Sequence, residues 1–173
     1  MFVQDVMLYG DTAGRTPKAD LASIFEKAFI QSHPGGTKSM FPHGGASASF
    51  SAITMQKVSG IPGIPLVDAG VNRGPIKDAT IAAINSGHPV VAESSPFAGD
   101  AQVTANGRQE NITIASSHVY TVAAADENGV TLINPWGHNN RCDGSNTSTG
   151  ATFTMSWEDF YANYGDVTMG FIP

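Results

Sequence analysis

Apolar residues change their spacing near the middle of the chain. In the first half they recur every three or four residues, which is typical of one face of a helix. Predicted helices begin after Thr16-Pro17, after Gly44-Gly45 and at Pro75. The second helix is expected to stop before Gly60, and Gly87 stands where the third needs a left-handed cap.

The second half alternates apolar and polar residues in short runs, which predicts strands. The expected strands cover residues 89–92, 112–115, 118–125, 130–133 and 167–172, with a polar loop from Glu93 to about Glu110. Asp126-Glu127-Asn128-Gly129 is typical of a hairpin turn. Ser156 is expected to cap a short helix that runs through Tyr164. The pattern therefore predicts an α+β fold with helices packed against an antiparallel sheet.

Composition adds limits to this prediction. The chain has 173 residues, of which 41% are hydrophobic, so we expect one folded unit over residues 1–173. Charged residues make up only 14%, against about 25% in average proteins, and the 19 Gly and 10 Pro argue against a helical bundle. The formal net charge of -6, without a basic cluster, makes nucleic acid a poor partner.

The single cysteine, Cys142, excludes an internal disulfide and a CxxC motif. No apolar run approaches the length of a membrane span, and Met1-Phe2-Val3-Gln4-Asp5 lacks the pattern of a signal peptide. We therefore expect a soluble chain without a membrane partner. The compartment stays open between cytoplasmic and exported as part of a larger protein.

The most informative pair of polar residues is His118 and Asn134. They lie at the start of one predicted hairpin strand and at the end of the next, so a tight turn would bring them to the same end of the sheet. In a catalytic pair, the Asn134 carbonyl would accept the proton of His118 Nδ1 and leave Nε2 facing a nucleophile. Pro135 would hold Asn134 extended, and Trp136 would cover the hydrogen bond. A His and an Asn that flank a hairpin are most often ordinary polar residues, so spacing alone favours that interpretation over catalysis.

Three longer segments resemble the calpain family of papain-like cysteine proteases. Ser117-His118-Val119-Tyr120-Thr121-Val122 and Leu132-Ile133-Asn134-Pro135-Trp136-Gly137 are similar to that family's "GHAYSV … LRNPWG" signature. Phe153-Thr154-Met155-Ser156-Trp157-Glu158-Asp159-Phe160 resembles its "FWMSFEDF" segment. The resemblance implies the second, sheet-rich half of a papain-like protease, with His118 and Asn134 as catalytic residues and Trp136, Pro135 and Gly137 supporting them.

Nothing in the chain resembles the family's other half, which carries the nucleophilic cysteine in a "GDCW" motif. The resemblance therefore implies a calpain-like endopeptidase module that is inactive without a Cys-bearing half, supplied by the same precursor or in trans. Its substrate would be a protein or peptide. The alternative is a non-catalytic protein-binding module, or an effector or toxin domain, derived from a degenerate protease half.

Other candidate groups have simpler interpretations. Cys142 lies in a polar loop beside Asp143, without a helix start to activate it, so we expect an incidental thiol. Animal members of the family bind calcium, but the loop after Gly137 offers only Asp143 as a carboxylate ligand, so we expect neither calcium dependence nor another cofactor. The remaining histidines lie near turns, where we expect surface or structural roles: His33, His43, His88 and His138.

Overall fold

The computed structural model of the chain describes residues 55–56 and 59–171. Over residues 60–171 it is an α+β fold with an eight-stranded antiparallel sheet and two helices. The strands are β1 (Ile64–Val67), β2 (Val90–Ser94), β3 (Asp100–Ala105), β4 (Arg108–Thr113), β5 (Val119–Ala125), β6 (Val130–Asn140), β7 (Ser148–Met155) and β8 (Tyr164–Met169). The helices are α1 (Arg73–Asn85) and α2 (Trp157–Asn163). The order of strands across the sheet is β1-β8-β2-β5-β6-β7-β3-β4.

The predicted N-terminal helices fall mainly outside the described residues. The first lies wholly outside them. Of the second, Met55, Gln56 and Ser59 are described and are helical. The chain leaves the helical conformation at Gly60, whose φ is +80°. The end of this helix is thus placed as predicted.

Helix α1 confirms the third predicted helix but starts two residues earlier, at Arg73. Pro75 is therefore in the first turn instead of at its first position, and the first turn tolerates proline because its N–H groups have no partner within the helix. At the other end Gly87 has φ +75°. The N–H of His88 donates to Ala83 O at 3.0 Å, and that of Gly87 donates to Ile84 O at 3.0 Å. These two bonds form a Schellman cap, which needs the left-handed glycine.

The predicted polar loop from Glu93 to Glu110 is wrong. The segment forms the β3–β4 hairpin, closed by Asn106 and Gly107 with φ of 52° and 73°. Two consecutive positive φ angles are typical of a type I′ turn, for which Asn-Gly is the preferred sequence. The buried residues of β3 occupy alternate positions: Ala101, Val103 and Ala105. The sequence therefore contained two signals for this hairpin, the Asn-Gly turn and the alternation of apolar residues.

The predicted β5–β6 hairpin is confirmed. Asp126 N–H donates to Gly129 O at 3.0 Å, and Asp126 Oδ1 accepts the N–H groups of Asn128 at 2.7 Å and Gly129 at 3.1 Å. Strand β6 runs to Asn140, well beyond the predicted residue 133, because it also pairs with β7, which the sequence did not predict. The β6–β7 pairing is irregular between Ile133 and His138, and Asn134, Pro135, Trp136 and Gly137 lie in this interval.

Helix α2 begins as the sequence predicts. Ser156 is its N-cap, and its hydroxyl accepts the N–H of Asp159 at 3.1 Å. Trp157 and Phe160 are buried and pack in one cluster with side chains from α1 and the sheet. The indole N–H of Trp157 donates to Asp126 O at 2.7 Å, which ties α2 to the β5–β6 turn.

One carboxyl group in the sheet makes stability depend on pH. Burial, together with the Asp166 carboxylate on the neighbouring strand, raises the pKa of Glu93 to about 7. The folded state therefore holds this proton more tightly than the unfolded state, so stability falls as pH rises from about 4.5 towards 7. We expect Glu93→Gln to stabilise the protein at pH 8 by about 1 to 2 kcal/mol, since solvent screens part of the charge, and to add little near pH 4.5.

Urea denaturation of Glu93→Gln at both pH values measures this difference. Glu158→Gln, at an exposed position of α2, is the control and should bring no gain at pH 8. An equal effect of Glu93→Gln at the two pH values would contradict the assignment.

Candidate functional site

His118 lies directly before β5 and is held by the end of β2. Its backbone N–H donates to the Ser94 hydroxyl at 2.9 Å, and its carbonyl accepts the Ser94 N–H at 2.8 Å. Ser117, the preceding residue, has φ +50°, a left-handed conformation that non-glycine residues seldom adopt. As a residue, His118 is only 8% exposed. Two hydrogen bonds and a constrained neighbour thus fix the backbone that carries the imidazole.

The β5–β6 hairpin brings His118 and Asn134 together, as the spacing predicted. His118 Nε2 lies 3.1 Å from Asn134 Oδ1, and Asn134 is 3% exposed. The predicted ring orientation is wrong, because Nε2 and not Nδ1 faces the amide. The amide oxygen accepts only, so the neutral imidazole carries its proton on Nε2 and a lone pair on Nδ1. Within the part of the chain that the structure describes, Nδ1 has no hydrogen-bond partner.

Aromatic rings enclose the imidazole on two sides. The Trp136 ring centroid lies 4.2 Å from that of His118 at an interplanar angle of 30°, and the Tyr120 ring meets it edge-on at 4.9 Å. The backbone N–H of Trp136 also donates to Asn134 Oδ1 at 3.0 Å. Pro135 is exposed, and Gly137 has φ +81°, which favours glycine. The Trp136 ring therefore lies against the imidazole, and its role in covering the hydrogen bond stays a prediction.

Burial keeps the imidazole neutral in this environment. It lowers the pKa of His118 below its ordinary value of 6.5, and the hydrogen bond that Nε2 donates to Asn134 Oδ1 opposes the shift without reversing it. The unfolded state then binds the proton more readily, so this group costs stability as pH falls below about 6.5. At neutral pH the ring is a base whose Nδ1 has no hydrogen-bond partner among residues 55–56 and 59–171.

We expect His118 to titrate below pH 6.5 in an NMR titration of its imidazole signals. Asn134→Leu should lower the midpoint further, because it removes the hydrogen bond that favours the charged ring and leaves the burial in place. A wild-type midpoint at or above 6.5 would show that the imidazolium form is stabilised instead.

Cys142 lies near β3 and β4, in surroundings that do not activate a thiol. Its N–H donates to Asn111 O at 3.1 Å. Burial and the neighbouring Asp100 carboxylate raise the pKa of the Cys142 thiol, which keeps it protonated at neutral pH. The structure shows no contact between Cys142 and His118. The geometry thus agrees with the prediction of an incidental thiol.

Two of the remaining histidines, His88 and His138, lie in the described part of the chain. His88 packs edge-on against Phe171, and His138 Nδ1 lies 3.1 Å from Trp136 O, whereas His33 and His43 are outside the described residues. Among residues 55–56 and 59–171, no three His, Cys, Asp or Glu side chains form a group suited to a metal ion.

The helices that the structure describes include none with the length and apolar character needed to cross a membrane.

Sequence reasoning missed two residues that support the site. The Ser94 hydroxyl bonds the backbone of His118, and Asn139 Oδ1 accepts the Asn134 Nδ2–H at 3.1 Å. Both side chains are buried, at 2% exposure each. Buried polar side chains need partners, but only the pairing of β2 and β7 with their neighbours shows which partners these are.

No protein-family model matches this chain, and comparison with curated protein sequences likewise finds no match.

Proposed function

We propose that this chain is the His- and Asn-bearing half of a calpain-like, papain-fold cysteine endopeptidase. The observation that carries the proposal is the buried pair of His118 Nε2 and Asn134 Oδ1 at 3.1 Å, with no hydrogen bond to Nδ1 among the described residues and with Trp136 against the ring. An imidazole fixed by an amide is the base that a thiol nucleophile needs. The likeness of the two strand segments to the calpain signature supports the same assignment.

In the proposed mechanism His118 Nδ1 takes the proton of a cysteine thiol on the other half. The thiolate attacks the peptide carbonyl, and the protonated imidazole then gives its proton to the leaving amine. Asn134 keeps the ring in place and stabilises its charged form, because its carbonyl accepts the Nε2–H in both states. Water then attacks the acyl-enzyme thioester and releases the acid product, with His118 again accepting a proton.

This mechanism requires a cysteine on a second polypeptide segment. Cys142 is the one cysteine of this chain, it makes no contact with His118 in the structure, and its thiol stays protonated at neutral pH. We therefore expect the isolated chain to leave fluorescein-labelled casein intact. Mixed or co-expressed with a Cys-bearing helical half from the same precursor or from a neighbouring gene, it should cleave casein, and the Cys142→Ser variant should do so equally well.

Cleavage by the isolated chain would overturn the assignment of the missing nucleophile. Absence of any Cys-bearing half from the precursor and the neighbouring genes, or failure of such a half to confer cleavage, would overturn the peptidase assignment.

A protein-binding module is the second candidate, and one observation favours it. Phe97 is 92% exposed on the β2–β3 loop, which the Ser117 N–H to Ser95 O bond of 3.3 Å ties to the segment before His118. Aromatic side chains, including phenylalanine, are enriched at protein–protein interfaces, so Phe97 is a candidate anchor for a partner. Retention of a partner protein by wild-type chain and by His118→Ala alike, without cleavage by either, would favour this alternative.

A further inference from the structure

A second buried amide holds Asn134. Asn134 Nδ2 donates to Asn139 Oδ1 at 3.1 Å, and Asn139 Nδ2 donates to two backbone carbonyls of β7, Gly150 O at 2.6 Å and Ala151 O at 3.0 Å. Backbone carbonyls only accept, so they determine which end of the Asn139 amide faces β7. The carbonyl end of Asn139 must then face Asn134.

The irregular pairing of β6 makes this contact possible. Residues five apart on a regular strand point to opposite faces of the sheet. Asn134 and Asn139 are nevertheless both buried and in contact, because the β6–β7 register shifts between Ile133 and His138. Gly137, with φ +81°, lies inside this bulge. The bulge therefore turns two amides of one strand towards each other.

The orientation of the Asn134 amide decides the chemistry of His118. With the carbonyl towards the ring, Nε2 must donate, and the neutral imidazole keeps a lone pair on Nδ1. With the NH₂ group towards the ring, Nε2 would accept, Nδ1 would carry the proton, and the ring could not take a proton from a thiol through Nδ1. The backbone N–H of Trp136 stabilises the first orientation by donating to Asn134 Oδ1. Asn139 Oδ1 stabilises the same orientation by accepting from Asn134 Nδ2.

We infer that Asn139 is a positioning residue, which sets the tautomer of His118 through the amide of Asn134. Its importance for catalysis rests on the proposed function, but the tautomer is a property of this chain alone. A series of hydrogen bonds runs from the β7 carbonyls to Asn139, then to Asn134, and ends at the Nε2–H of His118.

The tautomer is measured from the side-chain ¹⁵N signals of the labelled chain at pH 8, where the imidazole is neutral. His118→Gln assigns the signals among the five histidines. We expect the Nε2–H form to dominate in wild type. Asn139→Leu removes the acceptor for Asn134 Nδ2 and should lower the ratio of Nε2–H to Nδ1–H about fivefold, the equivalent of one neutral hydrogen bond. Asn140→Leu is the matched control, since Asn140 is the adjacent, exposed asparagine, and it should leave the ratio unchanged.

A second variant separates positioning from packing. Asn139→Asp keeps an acceptor for Asn134 Nδ2 but loses the donors to Gly150 O and Ala151 O, so we expect lower thermal stability with the Nε2–H form retained. If Asn139→Leu does not fold, the wild-type and Asn139→Asp spectra decide: dominance of Nδ1–H in either one overturns the inference. An unchanged ratio in folded Asn139→Leu also overturns the inference, because the backbone N–H of Trp136 would then be enough to hold the Asn134 amide in its orientation. Failure of a Cys-bearing half to confer cleavage would instead overturn the proposed function and leave these spectra unaffected.

Discussion

His118→Ala is expected to abolish peptide cleavage by the chain assembled with its Cys-bearing half. Removing the base leaves the thiol without a proton acceptor and the leaving amine without a donor, and losses of about 10³-fold or more follow from removing such a group. Asn134→Ala should cause a smaller loss, because the imidazole is still present but is no longer held by the amide at 3.1 Å. Initial rates on fluorescein-labelled casein measure both effects.

The control for this experiment is His88→Gln. His88 also carries an imidazole, but it lies two residues before β2 and packs against Phe171, so its replacement should leave the cleavage rate near that of wild type. Cleavage by His118→Ala at the rate of His88→Gln would contradict the assigned base.

Gly129→Ala is expected to destabilise the fold by about 3 kcal/mol. A Cβ at Gly129 would collide with the backbone carbonyl of Met155, and backbone in the middle of a sheet cannot move aside as a flexible side chain can. Gly129 closes the turn that sets the β5–β6 register, so the same change should also disturb the apposition of His118 and Asn134.

Urea denaturation of Gly129→Ala measures this loss, with Gly165→Ala as the matched control. Gly165 also lies in the sheet, but a Cβ there meets no atom within 4 Å. We expect Gly165→Ala to change the free energy of unfolding by less than about 1 kcal/mol. Similar effects of the two substitutions would show that the contact with Met155 is relieved at little cost.

The sequence predicts well those parts of the fold that depend on local signals. Helix α1 with its left-handed Gly87, the Ser156 cap and the Asp126–Gly129 turn all rest on interactions within a few residues. The β3–β4 hairpin was predictable too, because Asn106-Gly107 is a strong turn signal, but small alanines on β3 weaken the apolar alternation. Strand β7 is stabilised by β6 and β3 on either side, and such non-local pairing leaves little trace in a polar sequence.

For the candidate site, too, the sequence predicts some features and not others. The hairpin geometry correctly brings His118 and Asn134 together, because antiparallel strands return to the same end of a sheet. Spacing does not determine which ring nitrogen faces the amide, and the expected Nδ1 contact proved to be an Nε2 contact. Asn139 could not be predicted, because strict alternation places it on the opposite face from Asn134 and only the bulge in β6 brings it back.

The most direct test of the account is the alkylation rate of the cysteine on the Cys-bearing half. Iodoacetamide is added at pH 6 to that half alone, to that half with the wild-type chain, and to that half with the His118→Ala chain. Both forms of this chain also carry Cys142→Ser, so that they contribute no thiol of their own. If Nδ1 of His118 takes the thiol proton, the thiolate is present at this pH and alkylation is faster with the wild-type chain than with His118→Ala or without any chain. Equal rates in all three reactions, despite complex formation, would contradict the assignment of His118 as the base.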